Sequence, residues 1–260
     1  MFAPLTDLSR CRILLTNDDG IDAPGLKHLE KVARTLSDDI WVVAPEREQS
    51  GAGHSLTLQT PLRYRMVSER RIAVEGTPTD CVMLAVNKFL RDHRPDLVLS
   101  GINRGGNLGE DVTYSGTVAA AMEGALLGIP SLALSQVTTQ PHPVKWATAE
   151  HFAPQVIRAV VGAGFPRSCL VSINFPDVVQ GSVAGVEVAR QGRRKIGDDL
   201  VEREDPRGRP YIWIGSQREE DPSGEGTDLE AIGRGMVTVT PLGVDLTHAA
   251  AMARLKGAFV

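Results

Sequence analysis

A chain of 260 residues is long enough for one large α/β domain, or for one domain carrying an elaboration. With 42% hydrophobic and 23% charged residues it can bury a sizeable core, and a formal net charge of −4 argues against gripping nucleic-acid duplexes through bulk positive charge. The three cysteines, Cys11, Cys81 and Cys169, lie far apart with no CxxC pair, and neither a basic, apolar leader nor a window of about 18 apolar residues is present, so a cytoplasmic enzyme or binding protein without a membrane span is expected.

Short apolar runs alternate with helical patterns over the first two thirds. RILLT (12–16) reads as a buried strand, 24–36 as an amphipathic helix and IWVVA (40–44) as a second strand. Residues 56–76 show the period-two pattern of antiparallel strands broken at Pro61 and at Ser68-Glu69, a hairpin elaboration. Pro78 opens a helix predicted to run to Leu90, with Thr77 as its N-cap. DLVLS (96–100) is a third core strand, 115–128 a helix and SLALS (131–135) a fourth strand. A helix over 144–161 and the strand CLVSIN (169–174) follow. This alternation predicts a Rossmann-like, doubly wound, mostly parallel α/β sheet.

Near residue 190 the texture changes. A charged, Gly- and Pro-rich segment surrounds one apolar island at Tyr211–Ile214. A solvated loop is one reading; an extended arm whose island packs on another subunit is the other, and the arm is preferred because long structureless loops are rare in a compact domain. MVTVT (236–240) returns to strand character, and 245–256 closes as a helix. The expected division is therefore a catalytic core over 12–185, an arm or hairpin over 186–235, and a final strand and helix over 236–260.

In a parallel open sheet, ligands bind beyond the carboxyl ends of the strands. Three polar segments leave such ends: NDDG after the first strand, PEREQSGAGHS after the second and GINRGGNLGEDVTYSGT after the third. Asp18 and Asp19 would face opposite sides of a continuous strand, so both reach one point only if the chain turns, which Gly20 permits. One Asp could instead cap the following helix while the other is solvated. Ser50 is either a ligand or a turn serine, and His54 either a general acid or a loop histidine. Asn103 offers a neutral carbonyl oxygen. Ser115, Gly116 and Thr117 open an alanine-rich helix, whose start suits both N-capping and phosphate binding.

Two carboxylates, a hydroxyl and an amide carbonyl form an all-oxygen set suited to one hard divalent cation, Mg²⁺ or Mn²⁺, with water completing the shell. Beside a phosphate-binding helix start, that set points to metal-assisted phosphoester hydrolysis.

The stretches ILLTNDDGIDAPG (13–25), VVAPEREQSGAGHSLT (42–57), GTPTDCV (76–82), the run 97–135 and GTDLEAIGRGMVTVTPL (226–242) together resemble the SurE survival-protein family of 5′/3′-nucleotidases. That resemblance implies a metal-dependent phosphomonoesterase acting on nucleoside 5′- and 3′-monophosphates, and in some members on short polyphosphate. It places the metal ligands on Asp18, Asp19, Ser50 and Asn103, and implies dimers or tetramers joined by exchanged C-terminal extensions. In the mechanism expected here Asp18 and Asp19 are the catalytic pair, and Ser115, Gly116 and Thr117 orient the phosphate. A haloacid-dehalogenase-type phosphatase fits less well, because its DxD needs a carboxylate where Asn17 stands. A nucleotide sensor without turnover is the alternative from another class.

Overall fold

Ile13 and Leu15 bury on one side of the first strand and Leu14 on the other, so that strand must be covered on both faces. In a computed structural model, which describes residues 1–139, 141–196, 200–214, 218–220 and 224–259, it is an interior strand of the main sheet. In chain order the elements are β1 (Arg12–Thr16), α1 (Pro24–Arg34), β2 (Asp39–Pro45), the hairpin β3 (Tyr64–Ser68) and β4 (Arg71–Val74), and α2 (Pro78–Leu84). Then come β5 (Leu97–Arg104), α3 (Gly116–Leu126), β6 (Ser131–Gln136), α4 (Trp146–Ala163), β7 (Cys169–Phe175) and β8 (Gly185–Val188). The remainder comprises β9 (Arg194–Ile196), β10 (Leu200–Glu204), β11 (Pro210–Ile214), β12 (Arg218–Glu220), α5 (Asp228–Gly233), β13 (Met236–Gly243) and α6 (Ala249–Lys256).

The main sheet runs β3-β4-β2-β1-β5-β6-β7-β13-β8. It is parallel except where β3 meets β4 and β13 meets β7, which is the mostly parallel α/β architecture expected from the sequence. Strand order reverses at β1, with β2 on one side and β5 on the other, so a crevice opens at the carboxyl ends of β1 and β5. One face is covered by α1, through Leu26, Leu29 and Val32, and by α4, through Ala153, Val156 and Ile157. The opposite face is covered by α2, through Cys81 and Val82, and by α3, through Ala120. Each fully buried Leu or Ile in these layers contributes on the order of 1.5–3 kcal/mol.

Several boundaries differ from expectation for identifiable reasons. The third core strand does not stop at Ser100. After an irregularity between Ser100 and Asn103 it resumes pairing with β6, Asn103 opposite Ser135 and Arg104 opposite Gln136. Residues 56–63 form no strand, because the Thr57 N–H and hydroxyl bond the Asp80 carboxylate (3.0 and 2.6 Å) instead of a neighbouring strand. The helix from Pro78 is α-helical only to Leu84 and continues as a wider turn over Ala85–Phe89. Thr77 does cap it, in a reciprocal capping box with Asp80. The last helix starts at Ala249 rather than 245, capped by His248 Nδ1, which accepts from the Ala251 N–H at 3.1 Å.

Within the segment read as an arm, β8 joins the main sheet beside β13, while β10 and β11 pair as an antiparallel hairpin whose Tyr211, Ile212, Trp213 and Ile214 are exposed in the single chain. Residues 197–199, 215–217 and 221–223 of that segment lie outside the described residues. Among the described residues no helix is long and apolar enough to cross a membrane.

Candidate active site

At the end of β1 the buried Asn17 donates from Nδ2 to the Gly20 carbonyl at 2.8 Å and closes a turn. Gly20 takes φ +101° there, a conformation that side-chain-bearing residues rarely adopt. The turn brings Asp18 and Asp19 to one cleft instead of to opposite sheet faces. Asp18 is only 4% exposed. Its Oδ1 accepts the Thr117 hydroxyl at 2.5 Å, and its main-chain carbonyl accepts the Gln49 N–H at 2.8 Å, which ties the loop after β2 to the same point. The first turn of α3 lies against it: a Cβ on Gly116 would stand 2.7 Å from the Asp18 Cβ, so only glycine lets the helix start approach so closely. Asp19, half-buried, accepts the Arg104 N–H on Oδ2 at 3.2 Å.

Burial dominates the electrostatics. It pushes the Asp18 carboxyl up to about 6, opposed by the Thr117 hydrogen bond and reinforced by the neighbouring Asp19 charge. Asp19 is also raised, chiefly by burial and then by Glu48, against the Arg104 N–H and guanidinium. Two adjacent acids held in that environment are stabilised as carboxylates by a cation placed between them.

The other oxygen donors sit in the same cleft, whose volume is about 500 Å³ and whose lining includes Asp18, Asp19, Ser50, Asn103 and Ser115. Asn103 donates from Nδ2 to the Gly105 carbonyl at 2.9 Å, an orientation that commits the nitrogen and leaves Oδ1 as the acceptor end. Ser50 is exposed and donates to Glu48 Oε1 at 2.9 Å. Among the described residues no group of three or more His, Cys, Asp or Glu is placed to hold a metal ion. The donor set expected from the sequence is two carboxylates with neutral oxygens, in a cleft that Glu48 and Asp111 also line. It fits a hard divalent cation that keeps several waters, and not a thiolate- or imidazole-bound metal.

Ser115 borders the cleft and caps α3, accepting the Val118 N–H at 3.0 Å. Gly116 and Thr117 stand behind Asp18 and are not among the lining residues. His54 faces Glu123 on α3, Nε2 to Oε2 at 3.0 Å, and does not line the cleft either.

Sequence reasoning overlooked several wall residues. Asn107 is fixed by Ser135 (2.8 Å from its Nδ2) and by Asn174, whose Oδ1 accepts its N–H at 2.9 Å. Asp111 accepts from Arg194 Nη2 at 2.5 Å; Asp228, which does not itself line the cleft, accepts the N–H groups of both Gly109 (3.0 Å) and Gly192 (2.8 Å). The polar loop after β5 signalled the first two. Nothing in the sequence marked Trp146, which closes another part of the wall.

A profile of the family described as Survival protein SurE matches residues 13–198. The chain belongs to the SurE family. It is 64% identical over 258 residues to the 5′-nucleotidase SurE of Paramagnetospirillum magneticum, with 99% of each chain aligned. It is 62% identical to the 5′-nucleotidase SurE of Rhodospirillum rubrum over the full length of both. Its fold superposes on the crystal structure of the SurE protein from Aquifex aeolicus with a TM-score of 0.83 at 40% identity, covering 95% of this chain and 99% of that one.

Proposed function

We propose that this SurE-family chain is a divalent-metal-dependent phosphomonoesterase that releases phosphate from nucleoside 5′-monophosphates, with 3′-monophosphates and short polyphosphate as further substrates. The observation that carries the reading is the pair of adjacent acids, the buried Asp18 set against the start of α3 and the half-buried Asp19, in a cleft with two further oxygen donors. The 5′-nucleotidase name of the relatives in P. magneticum and R. rubrum supports the substrate class.

Asp18, Asp19, Ser50 and Asn103 would hold one cation per subunit. That cation, Mg²⁺ or Mn²⁺, supplies a Lewis acid that draws electron density from the phosphoryl oxygens and acidifies water. The Ser115 hydroxyl and the dipole of the α3 start orient the phosphate, with Gly116 letting that helix start come close to Asp18. Thr117 serves that binding indirectly, by holding Asp18 in place through its hydroxyl. Asp18, kept as a carboxylate by a cation beside it, accepts the proton from the attacking water. The water oxygen joins phosphorus, the ester P–O bond breaks, and the nucleoside oxygen leaves with the proton that Asp18 took from the water.

Phosphate release from AMP is expected with Mn²⁺ or Mg²⁺, to stop with EDTA, and to fall at least about a hundredfold in Asp18→Asn while the protein stays folded. Metal-independent AMP binding without turnover would favour the sensor reading instead. The protein works in the cytoplasm as a homodimer or homotetramer through the segment 186–235, whose exposed Tyr211–Ile214 face supports that assignment. Light scattering of the wild type beside Trp213→Glu tests it; a monomer in both would reject it.

A further inference from the structure

The cleft beside Asp18 and Asp19 is lined mostly by acids, amides, hydroxyls and glycines, and into it comes the indole of Trp146, the first residue of α4. We propose that Trp146 is the platform on which the substrate's nucleobase stacks, an inference that rests on the phosphomonoesterase reading and names what the site recognises beyond the phosphate.

Three observations support a built platform and not an incidental aromatic. The indole is backed by the His28 imidazole, ring centroids 5.2 Å apart and planes 18° from parallel. His28 is itself held by Glu150, which also receives Lys31 at 3.0 Å. The start of α4 is pinned on both sides of the tryptophan: Lys145 Nζ reaches Asp177 at 2.6 Å, and the Thr148 hydroxyl donates to the Val178 carbonyl at 2.6 Å. Beneath the ring, Gly25 provides the clearance, since a Cβ there would come within 3.1 Å of the indole Cη2. The ring is half-buried, so it adds to the core on one side and keeps surface in the cleft.

Phosphate and ribose have no flat apolar face to offer such a surface, whereas every nucleobase has one. The other aromatic of the wall, Tyr114, immediately precedes the Ser115 cap and belongs to the phosphate end of the cleft. Trp146 comes from a different helix, α4, and enters the cleft from beside α1. A volume of about 500 Å³ lies in the range that encloses a small ligand of nucleotide size. Stacking is tolerant of base identity and grows with overlap, so the platform accepts all four bases and prefers purines to pyrimidines.

The test compares AMP with ribose 5-phosphate, which has no base, in wild type, Trp146→Ala and Trp146→Phe, and titrates adenosine calorimetrically into EDTA-treated protein. Losing a stacked base weakens binding about five- to a hundredfold. In Trp146→Ala, kcat/KM for AMP is expected to fall at least tenfold further than kcat/KM for ribose 5-phosphate, with the difference in KM. Adenosine binding should weaken in parallel, and Trp146→Phe should restore much of both. Equal losses for the two esters, or unchanged adenosine affinity, would overturn the platform and leave the hydrolase intact. Wild-type protein that binds adenosine through Trp146 yet releases no phosphate from AMP would do the reverse.

Discussion

The Thr117 hydroxyl and the Asp18 carboxylate, both buried, meet at 2.5 Å across two elements that lie 99 residues apart in the chain. A hydrogen bond to a buried charge is worth about 1.5–3 kcal/mol, so this contact opposes part of the burial that pushes Asp18 up. Thr117→Val removes the donor. In metal-free protein the Asp18 carboxyl is then expected to titrate about one to two pH units higher, followed by NMR, and Thr117→Ser to restore it. A threonine acting only on phosphate would instead raise KM and leave that titration in place.

Asp18 also links pH to the stability of the metal-free protein. Its carboxyl rises from 3.8 to about 6 on folding, so the folded state binds more protons than the unfolded chain between those values. The stability from this group is present in full below pH about 4 and is lost as pH rises to about 6, a difference on the order of 3 kcal/mol. In EDTA the wild type should therefore lose stability over that interval relative to Asp18→Asn, measured by urea unfolding. Adding Mn²⁺ at pH 7.5 should stabilise the wild type and leave Asp18→Asn almost unmoved.

Gly116→Ala probes the approach of α3. The added methyl would lie 2.7 Å from the Asp18 Cβ, so either the helix start or the acid must shift by several tenths of an ångström. Turnover is expected to drop at least tenfold with little change in circular dichroism. Retained turnover would show that the two can separate without harm.

Asp228 joins the root of the 186–235 segment to the loop after β5, which carries Asn107 and Asp111 of the cleft wall, by accepting the N–H groups of Gly109, Gly192 and Leu229. Removing this acceptor strands buried donors at about 1–3 kcal/mol each. Asp228→Ala should lower Tm and raise KM for AMP, and Asp228→Asn, which keeps one carbonyl oxygen, should do both more mildly. Arg194→Met, which leaves Asp111 buried without the guanidinium 2.5 Å away, should disturb the same wall.

The fold was legible because β1, β5 and β6 are covered on both faces and so read as unbroken apolar runs between helical patterns. Asp18, Asp19, Ser50 and Asn103 were legible as a group because each leaves or ends a strand on one sheet edge. What escaped was set by partners distant in sequence. Thr57 gives up strand pairing for Asp80, β5 resumes its ladder after an irregularity, and Trp146 reaches the cleft only because α1 and α4 pack side by side. Local patterns carry no trace of such pairings.

The reversal of strand order at β1 also bears on biosynthesis. Asp19 meets Arg104 across 85 positions, and Asp18 needs α3 behind it. A nascent chain therefore carries its acids out of the ribosome long before their neighbours exist. On the proposed metal site, tight capture of a divalent ion would wait until β5 and α3 have emerged and docked, so loading with metal would report that this part of the sheet has assembled.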